Sequence, residues 1–424
     1  MLKISEKEKV KEELKRLLKR RSVSLDTEKE AKVKEIIGAV AKNGDAALRE
    51  LTLKYDQVKI EDFKVKPEEV QAAYRKVEAD FLSALKTIIA NITAFHQKQR
   101  TEEWFETLPN DALLGLRVIP IEKVGIYVPG GRAAYPSTVL MNAIPAKVAG
   151  VKKIVMVSPP PIHPATLVAA AEVGITEIYQ VGGAQAIAAL AHGTESIPKV
   201  DKIVGPGNVY VALAKKFLFG VVGIESLAGP SDVMIIADND AEAEFIAADL
   251  LSQAEHDPES SSVLVTDSRK LAEEVIKEIE KQKGKLSRKE IIERSLNERG
   301  AILLVADLKE GVDIVNEFAP EHLEILASNP QRILEKVQNA GAVFMGPYSP
   351  VAAGDFAAGP NHVLPTFGSA RFSSPLGVYD FIKYQSIVGY TKPALQKIRE
   401  AAEVLAKVEG LDAHARSIEI RFES

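Results

Sequence analysis

A carboxylate and an imidazole stand side by side in Asn316-Glu317-Phe318-Ala319-Pro320-Glu321-His322-Leu323. Pro320 cannot donate a backbone hydrogen bond and biases Ala319 away from the helical region, so Glu321 and His322 fall at a break in regular structure. Such a pair can divide acid–base work: the carboxylate polarises water and the imidazole accepts a proton near neutral pH. The same dipeptide also describes a solvated surface pair, and only its surroundings decide. Three further pieces carry comparable groups. Gln253 and His256 lie three apart, on one face of the last turn of a helix predicted at about 240–255. Imidazole is a good zinc ligand and an amide oxygen a poor one, while a lone histidine at a helix end is also favoured by the helix dipole. Gly354-Asp355-Phe-Ala-Ala-Gly359-Pro-Asn-His362 offers a carboxylate for a cation and an imidazole for a substrate, and Glu409, Asp412 and His414 repeat those types in the tail. His96, His163 and His192 read as exposed. Spacing alone does not show that these pieces converge.

The elements that would position them form two series. Gly125–Val128, Lys153–Val157, Glu177–Val181 and Lys202–Val204 are short apolar runs that give way to Pro129, Ser158, Gly182 and Gly205 and then to alanine-rich helical stretches. Asp232–Ile236, Ser262–Val265, Ala301–Val305, His322–Leu326 and Ala342–Phe344 repeat the pattern, with helices at about 240–255, 268–283, 309–317 and 330–338 between them. Such alternation predicts parallel sheets with right-handed crossovers. The expected architecture is therefore α/β: two Rossmann-like parallel-sheet units, residues 113–230 and 231–375. A helical N-terminal region, 1–112, packs on the second unit, and a helical tail, 376–424, ends in a short strand. Amphipathic helices are expected at 5–20, 27–55 (entered at Ser24 or Thr27) and 67–99, with Trp104 in a following loop. Asn239 and Glu242 have the spacing of a capping box.

Open parallel sheets bind ligands beyond the carboxyl ends of their strands. Pro129-Gly130-Gly131, Gly182-Gly183-Ala184-Gln185 and Gly205-Pro206-Gly207-Asn208 stand at those ends. Their glycines allow close backbone approach, and the helix N-termini behind them favour phosphates; tight strand–helix turns would need the same glycines. None is a complete GxGxxG, and the strand ending in Ser158-Pro159-Pro160-Pro161 brings no acid for a ribose. Tyr127, Gln185 and Asn208 are well placed to touch a nucleotide there.

The 424-residue chain is 46% hydrophobic, carries a net charge of -5 and contains no cysteine. Disulfides, iron–sulfur clusters and thiolate zinc sites are excluded, as is the thiohemiacetal route from aldehyde to acid. No concentrated basic face suggests nucleic acid, and no apolar stretch approaches the ~20 residues of a membrane span. A cytoplasmic protein is expected.

Taken together, Val128-Pro-Gly-Gly-Arg-Ala-Ala-Tyr-Pro-Ser137, Val181-Gly-Gly-Ala-Gln-Ala-Ile187, Val204-Gly-Pro-Gly-Asn208, Ala228-Gly-Pro-Ser231, Ser252-Gln-Ala-Glu-His256, Ala319-Pro-Glu-His322 and Gly354-Asp-Phe-Ala-Ala-Gly-Pro-Asn-His362 closely resemble the histidinol dehydrogenase family, in order and over nearly the whole chain. Phe356, where tyrosine is common, is a conservative departure. The resemblance implies oxidation of L-histidinol to L-histidine through L-histidinal, with two NAD and one zinc ion per subunit. It implies Gln253, His256, Asp355 and His414 as metal ligands and Ser231, His322, His362 and Glu409, with Asp355, around the substrate. Glu321 and His322 become the acid–base pair, and Tyr127, Gln185 and Asn208 the cofactor contacts. It further implies a homodimer whose C-terminal tail completes the partner's site. Two competing classes are a zinc hydrolase, against which the glycine loops and the lack of HxH or HExxH speak, and a nucleotide-binding protein without catalysis.

Overall fold

A computed structural model describes residues 2–20, 27–130 and 134–423. Ser24 and Gly131 lie outside them. In chain order the elements are β1 (Ile4–Ser5), α1 (Val10–Arg20), α2 (Thr27–Asp56), α3 (Pro67–Tyr74), α4 (Ala79–Gln97), β2 (Trp104–Thr107) and β3 (Leu113–Pro120). Then come β4 (Lys123–Tyr127), α5 (Pro136–Ala149), β5 (Lys153–Ser158), α6 (Pro164–Glu172), β6 (Glu177–Gln180), α7 (Gly183–His192), β7 (Lys202–Val204), α8 (Val209–Leu218) and β8 (Gly223–Ile224). The second series is β9 (Asp232–Ala237), α9 (Ala243–Ala254), β10 (Ser261–Thr266), α10 (Arg269–Lys283), α11 (Lys289–Arg299), β11 (Ala301–Leu304), α12 (Leu308–Phe318), β12 (His322–Leu326), α13 (Pro330–Leu334), β13 (Ala342–Met345) and α14 (Val351–Phe356). The chain closes with β14 (Ile382–Gly389), α15 (Lys392–Val408) and α16 (Asp412–Glu419).

Both expected parallel sheets are present. The first runs β6-β5-β4-β7-β8 and the second β1-β11-β10-β9-β12-β13. Apart from β1 at the edge of the second, each series starts in the middle, winds outward one way and then the other, so the order reverses at β4/β7 and at β9/β12. Burial on both faces explains the unbroken apolar runs. Along β4, Tyr127 packs on one side with Val155 and Val157, while Ile126 packs on the other with Met156. Met234 and Ile236 face α1 and α12, whereas Val233 and Ile235 face α9 and α10.

Several boundaries differ from the sequence reading. Only β1 and α1 belong to the second unit: Ile4 and Ser5 pair with Ile302 and Leu303. Val10, Leu14 and Leu17 pack against that sheet. The rest of the N-terminal region covers the first unit, with Val33, Ile36, Val40 and Leu48 of α2 on one face and Leu85 and Ile92 of α4 on the other. The helix expected at 67–99 is two helices, because Glu78 turns extended (φ -77, ψ 153) as the N-cap of α4. Asn239 forms no capping box. Glu242 takes the N-cap of α9, while the Asn239 side chain accepts from Ser268 Oγ at 2.8 Å. His96 is fully buried rather than exposed, with Nδ1 2.7 Å from Gln99 Oε1, and Trp104 stands on a strand, half exposed.

A third sheet, antiparallel and of order β14-β3-β2, was not foreseen. Ile382↔Pro120 through Gly389↔Leu113 tie the chain leaving the second unit to the strand that precedes the first. The tail is therefore strand, then two helices, and ends in a 3-10 turn at Ile420–Phe422 instead of a strand.

Candidate functional site

One cleft of about 2330 Å³ is lined by residues from both units. It is larger than the ~300–1,000 Å³ of an ordinary small-molecule pocket and has room for a dinucleotide beside a substrate. The units present opposite ends to it. The first offers the carboxyl ends of β4, β6 and β7, as expected; the second offers the amino ends of β9 and β12, since Ser231 precedes β9 and His322 is the first residue of β12.

The Glu321–His322 pair is placed by the exit from α12. Ala319 takes the left-handed conformation (φ 51) as C-cap, its N–H donating to the Val315 carbonyl at 2.8 Å. Pro320 then stops the helix, and β12 begins two residues later. Asp232, at the start of the neighbouring strand, holds both residues. Its carboxylate accepts from Glu321 N at 2.8 Å, its N–H donates to Glu321 Oε2 at 3.1 Å, and its carbonyl accepts from His322 Nδ1 at 3.0 Å. That last bond puts the proton of the neutral imidazole on Nδ1 and leaves Nε2 basic. Nε2 lies 3.5 Å from Asp355 Oδ1 and has no hydrogen-bond partner. The pair is thus buried, not a solvated surface dipeptide: Glu321 and His322 are each 4% exposed.

Burial pushes the Glu321 carboxyl up to about 7, against the pull of His322. For His322 burial opposes the cation, but Glu321 and Asp355 outweigh it and raise its pKa to about 9. Burial also raises Asp355, yet the close approach of His322 and the charges of His322, His362 and His256 leave it below the usual carboxylate range. His362 is lowered, chiefly by burial, and its Nδ1 donates to the Asp355 carbonyl at 2.9 Å.

Ser231, Gln253, His256, Glu321, His322, Asp355 and His362 all line the cleft. Gln253 is 3% exposed and its Nε2 is buried without a partner, the mark of an amide set for a ligand. Glu409 and His414 do not join them; both are exposed on the tail. Among the described residues no three His, Asp or Glu side chains gather closely enough to hold a metal. Of the expected ligands of those types, this chain's cleft contains only His256 and Asp355.

On the first unit, Tyr127, Gln185 and Asn208 line the same cleft. Tyr127 Oη accepts from Gly183 N at 3.1 Å, and burial pushes its hydroxyl up to about 12. Asn208 caps α8 with Oδ1, which accepts from Tyr210 N (3.0 Å) and Val211 N (3.2 Å), and so has its amide N–H groups left for a ligand. Gly205 (φ +110) is required: a Cβ there would lie 2.1 Å from the Tyr127 carbonyl oxygen.

Sequence reasoning missed three acids. Asp232 left one signal, a charged residue opening a strand that is otherwise apolar. Glu225 and Asp56 also line the cleft, each with one buried side-chain oxygen lacking a partner. Glu225 is held by Lys215 Nζ at 2.7 Å and by Gly205 N at 2.8 Å.

The family model described as "Histidinol dehydrogenase" matches residues 18–422. A histidinol dehydrogenase from Listeria monocytogenes serovar 1/2a is 53% identical over 397 residues, covering 93% of each chain. One from Clostridium acetobutylicum is 54% identical over 394 residues, covering 92% of this chain and 91% of its own. The crystal structure of histidinol dehydrogenase from Elizabethkingia anophelis superposes with a TM-score of 0.93 at 36% identity, covering 99% of this chain and 97% of that one. With a buried Glu-His-Asp cluster facing glycine-rich loops across one cleft, and a match over nearly its whole length, this chain belongs to the histidinol dehydrogenase family.

Proposed function

We propose that the protein oxidises L-histidinol to L-histidine through L-histidinal in two NAD-dependent steps at a zinc site. The observation that carries this reading is the Glu321–His322–Asp355 cluster, buried on one wall of the cleft and opposite the strand-end loops of the first unit. Gln253, His256 and Asp355 would hold the metal, with the partner subunit's His414. Two imidazoles and a carboxylate suit zinc, and the neutral amide is the weak member of the set. When bound, the zinc ion supplies a template for the substrate's imidazole and amine, and the dinucleotide supplies the hydride acceptor.

The residues' own work follows from their placement. His322 accepts the alcohol proton at Nε2, the nitrogen freed by the Nδ1 bond to Asp232. Its raised pKa means that this step gains rate as pH rises toward about 9, and any cation bound beside Asp355 draws that value down. With no thiol in the chain, the aldehyde must take its oxygen from water. Glu321 is the carboxylate placed to activate that water, and His322 then takes the hydrate proton. Ser231 and His362 border the substrate. Tyr127, Gln185 and Asn208 contact the cofactor. The tail favours a homodimer: α15 and its exit leave Val404, Leu405, Val408 and Leu411 exposed, an apolar face suited to a second copy that would carry Glu409 and His414 to the neighbouring cleft.

Purified protein given NAD and L-histidinol should reduce two equivalents of nicotinamide per histidine formed; no reduction ends the reading. Glu321→Gln should keep partial alcohol oxidation and lose most aldehyde oxidation. An equal fall in both steps removes Glu321 from water activation.

A further inference from the structure

Glu324 lies two residues beyond His322 on β12, so its side chain shares that face of the strand but points into the protein core, 1% exposed. Oε1 accepts from Val351 N at 2.9 Å, and Val351 opens the helix that presents Asp355 one turn later. The other oxygen, Oε2, has no N–H or O–H donor in reach. Glu324 instead meets the carboxyl of Asp249, which lies one turn before Gln253 on α9. One side chain therefore touches the three elements that carry His322, Gln253 and Asp355.

Two facing buried carboxyls with no lysine or arginine beside them cannot both stay ionised. The charged groups acting on Glu324 are Asp249 from α9 and His322 from its own strand, and no lysine or arginine is among them. A single proton between the two acids converts repulsion into a short, charge-assisted O–H···O bond and satisfies the orphan oxygen. We propose that Glu324 and Asp249 share one proton and form a positioning clasp that fixes β12, α9 and α14 in the arrangement that the cleft residues need. Glu324 donates, Asp249 accepts, and neither touches substrate or cofactor. Burial and the neighbouring acid raise Glu324, and burial raises Asp249, in keeping with a proton retained at neutral pH.

The functional half of this inference rests on the reading of the cleft as a zinc-dependent active site; the proton itself does not. The infrared difference between the full-length parent protein and Glu324→Gln at pH 7 should contain a carboxylic-acid C=O band, distinct from the contribution of Glu321 that both proteins share. Glu324→Gln keeps an acceptor for Val351 N and a donor for Asp249, so its zinc affinity, turnover and pH profile should stay within about twofold of the parent protein. Glu324→Met removes both and should weaken zinc binding, measured by chelator competition, by about tenfold or more, the usual cost of losing a supporting hydrogen bond around a metal site. Absence of the acid band overturns the clasp, as does a Glu324→Gln variant that loses as much as Glu324→Met. Zinc affinity unchanged in both variants also overturns it. A protein that shows the band and the zinc pattern but never oxidises histidinol keeps the clasp and loses the proposed reaction.

Discussion

Replacing Glu321 by Gln tests the electrostatics of the catalytic pair without any turnover. The amide can still accept from Asp232 N, so the local fold is kept and only the charge is lost. Glu321 Oε2 lies 3.9 Å from His322 Nδ1, and both side chains are almost fully enclosed. At an effective dielectric of about 20, that separation gives about 4 kcal/mol, or roughly 3 pKa units. His322, raised to about 9 in the parent protein, should then titrate near roughly 6 in the variant. Ring-nitrogen NMR of histidine-labelled, metal-free protein reads this directly, with thermal unfolding as the control for fold. The linkage has a definite sign. A histidine raised from 6.5 to about 9 adds stability that is complete below 6.5 and lost as pH climbs through about 9. Glu321→Gln should therefore also flatten the fall in stability between those values. A His322 pKa that moves by less than about one unit refutes the coupling, and with it the account of Nε2 as a base tuned by its neighbour.

Three other outcomes are expected. Gly205→Ala should destabilise the protein by about 2 kcal/mol or more and weaken nicotinamide binding, because its Cβ would press on the Tyr127 carbonyl; denaturant midpoints and cofactor titration check this. Removing zinc with a chelator should abolish oxidation while leaving the circular dichroism spectrum intact, since β9, α9 and β12 are packed through their own apolar core. If the tail serves the neighbouring subunit, mixing inactive His414→Ala with inactive His322→Ala should restore about a quarter of the parent activity by random pairing; no recovery places His414 in its own chain's site.

The two parallel sheets were legible because strands buried on both faces read as continuous apolar runs closed by turn-forming residues, Asp238-Asn239 after Asp232–Ala237 and Pro159 after Lys153–Ser158. The antiparallel sheet was not. Leu113–Pro120 and Ile382–Gly389 are partly exposed, lack clean alternation and meet across more than half the chain. His96 ends a helix with polar neighbours, but its burial depends on the distant Asn361, whose Nδ2 lies 3.4 Å from Nε2. The site residues came from local motifs, whereas their convergence depended on β12 pairing with β9, which no spacing reveals. Glu324 left no motif at all; an acid within His322–Leu326 reads as an alternation error until its partners are seen.

The ladder between β14 and β3 makes the backbone a closed circuit. The polypeptide passes from the second unit to the first between α1 and α2, crosses back before β9 and returns before β14, where eight residue pairs seal it. A protease nick between β8 and β9 would leave the halves joined by that seam and by the chain between α1 and α2. The cleft between the units is thus held by more than one crossing, and widening it calls for bending the seam rather than swinging a single hinge.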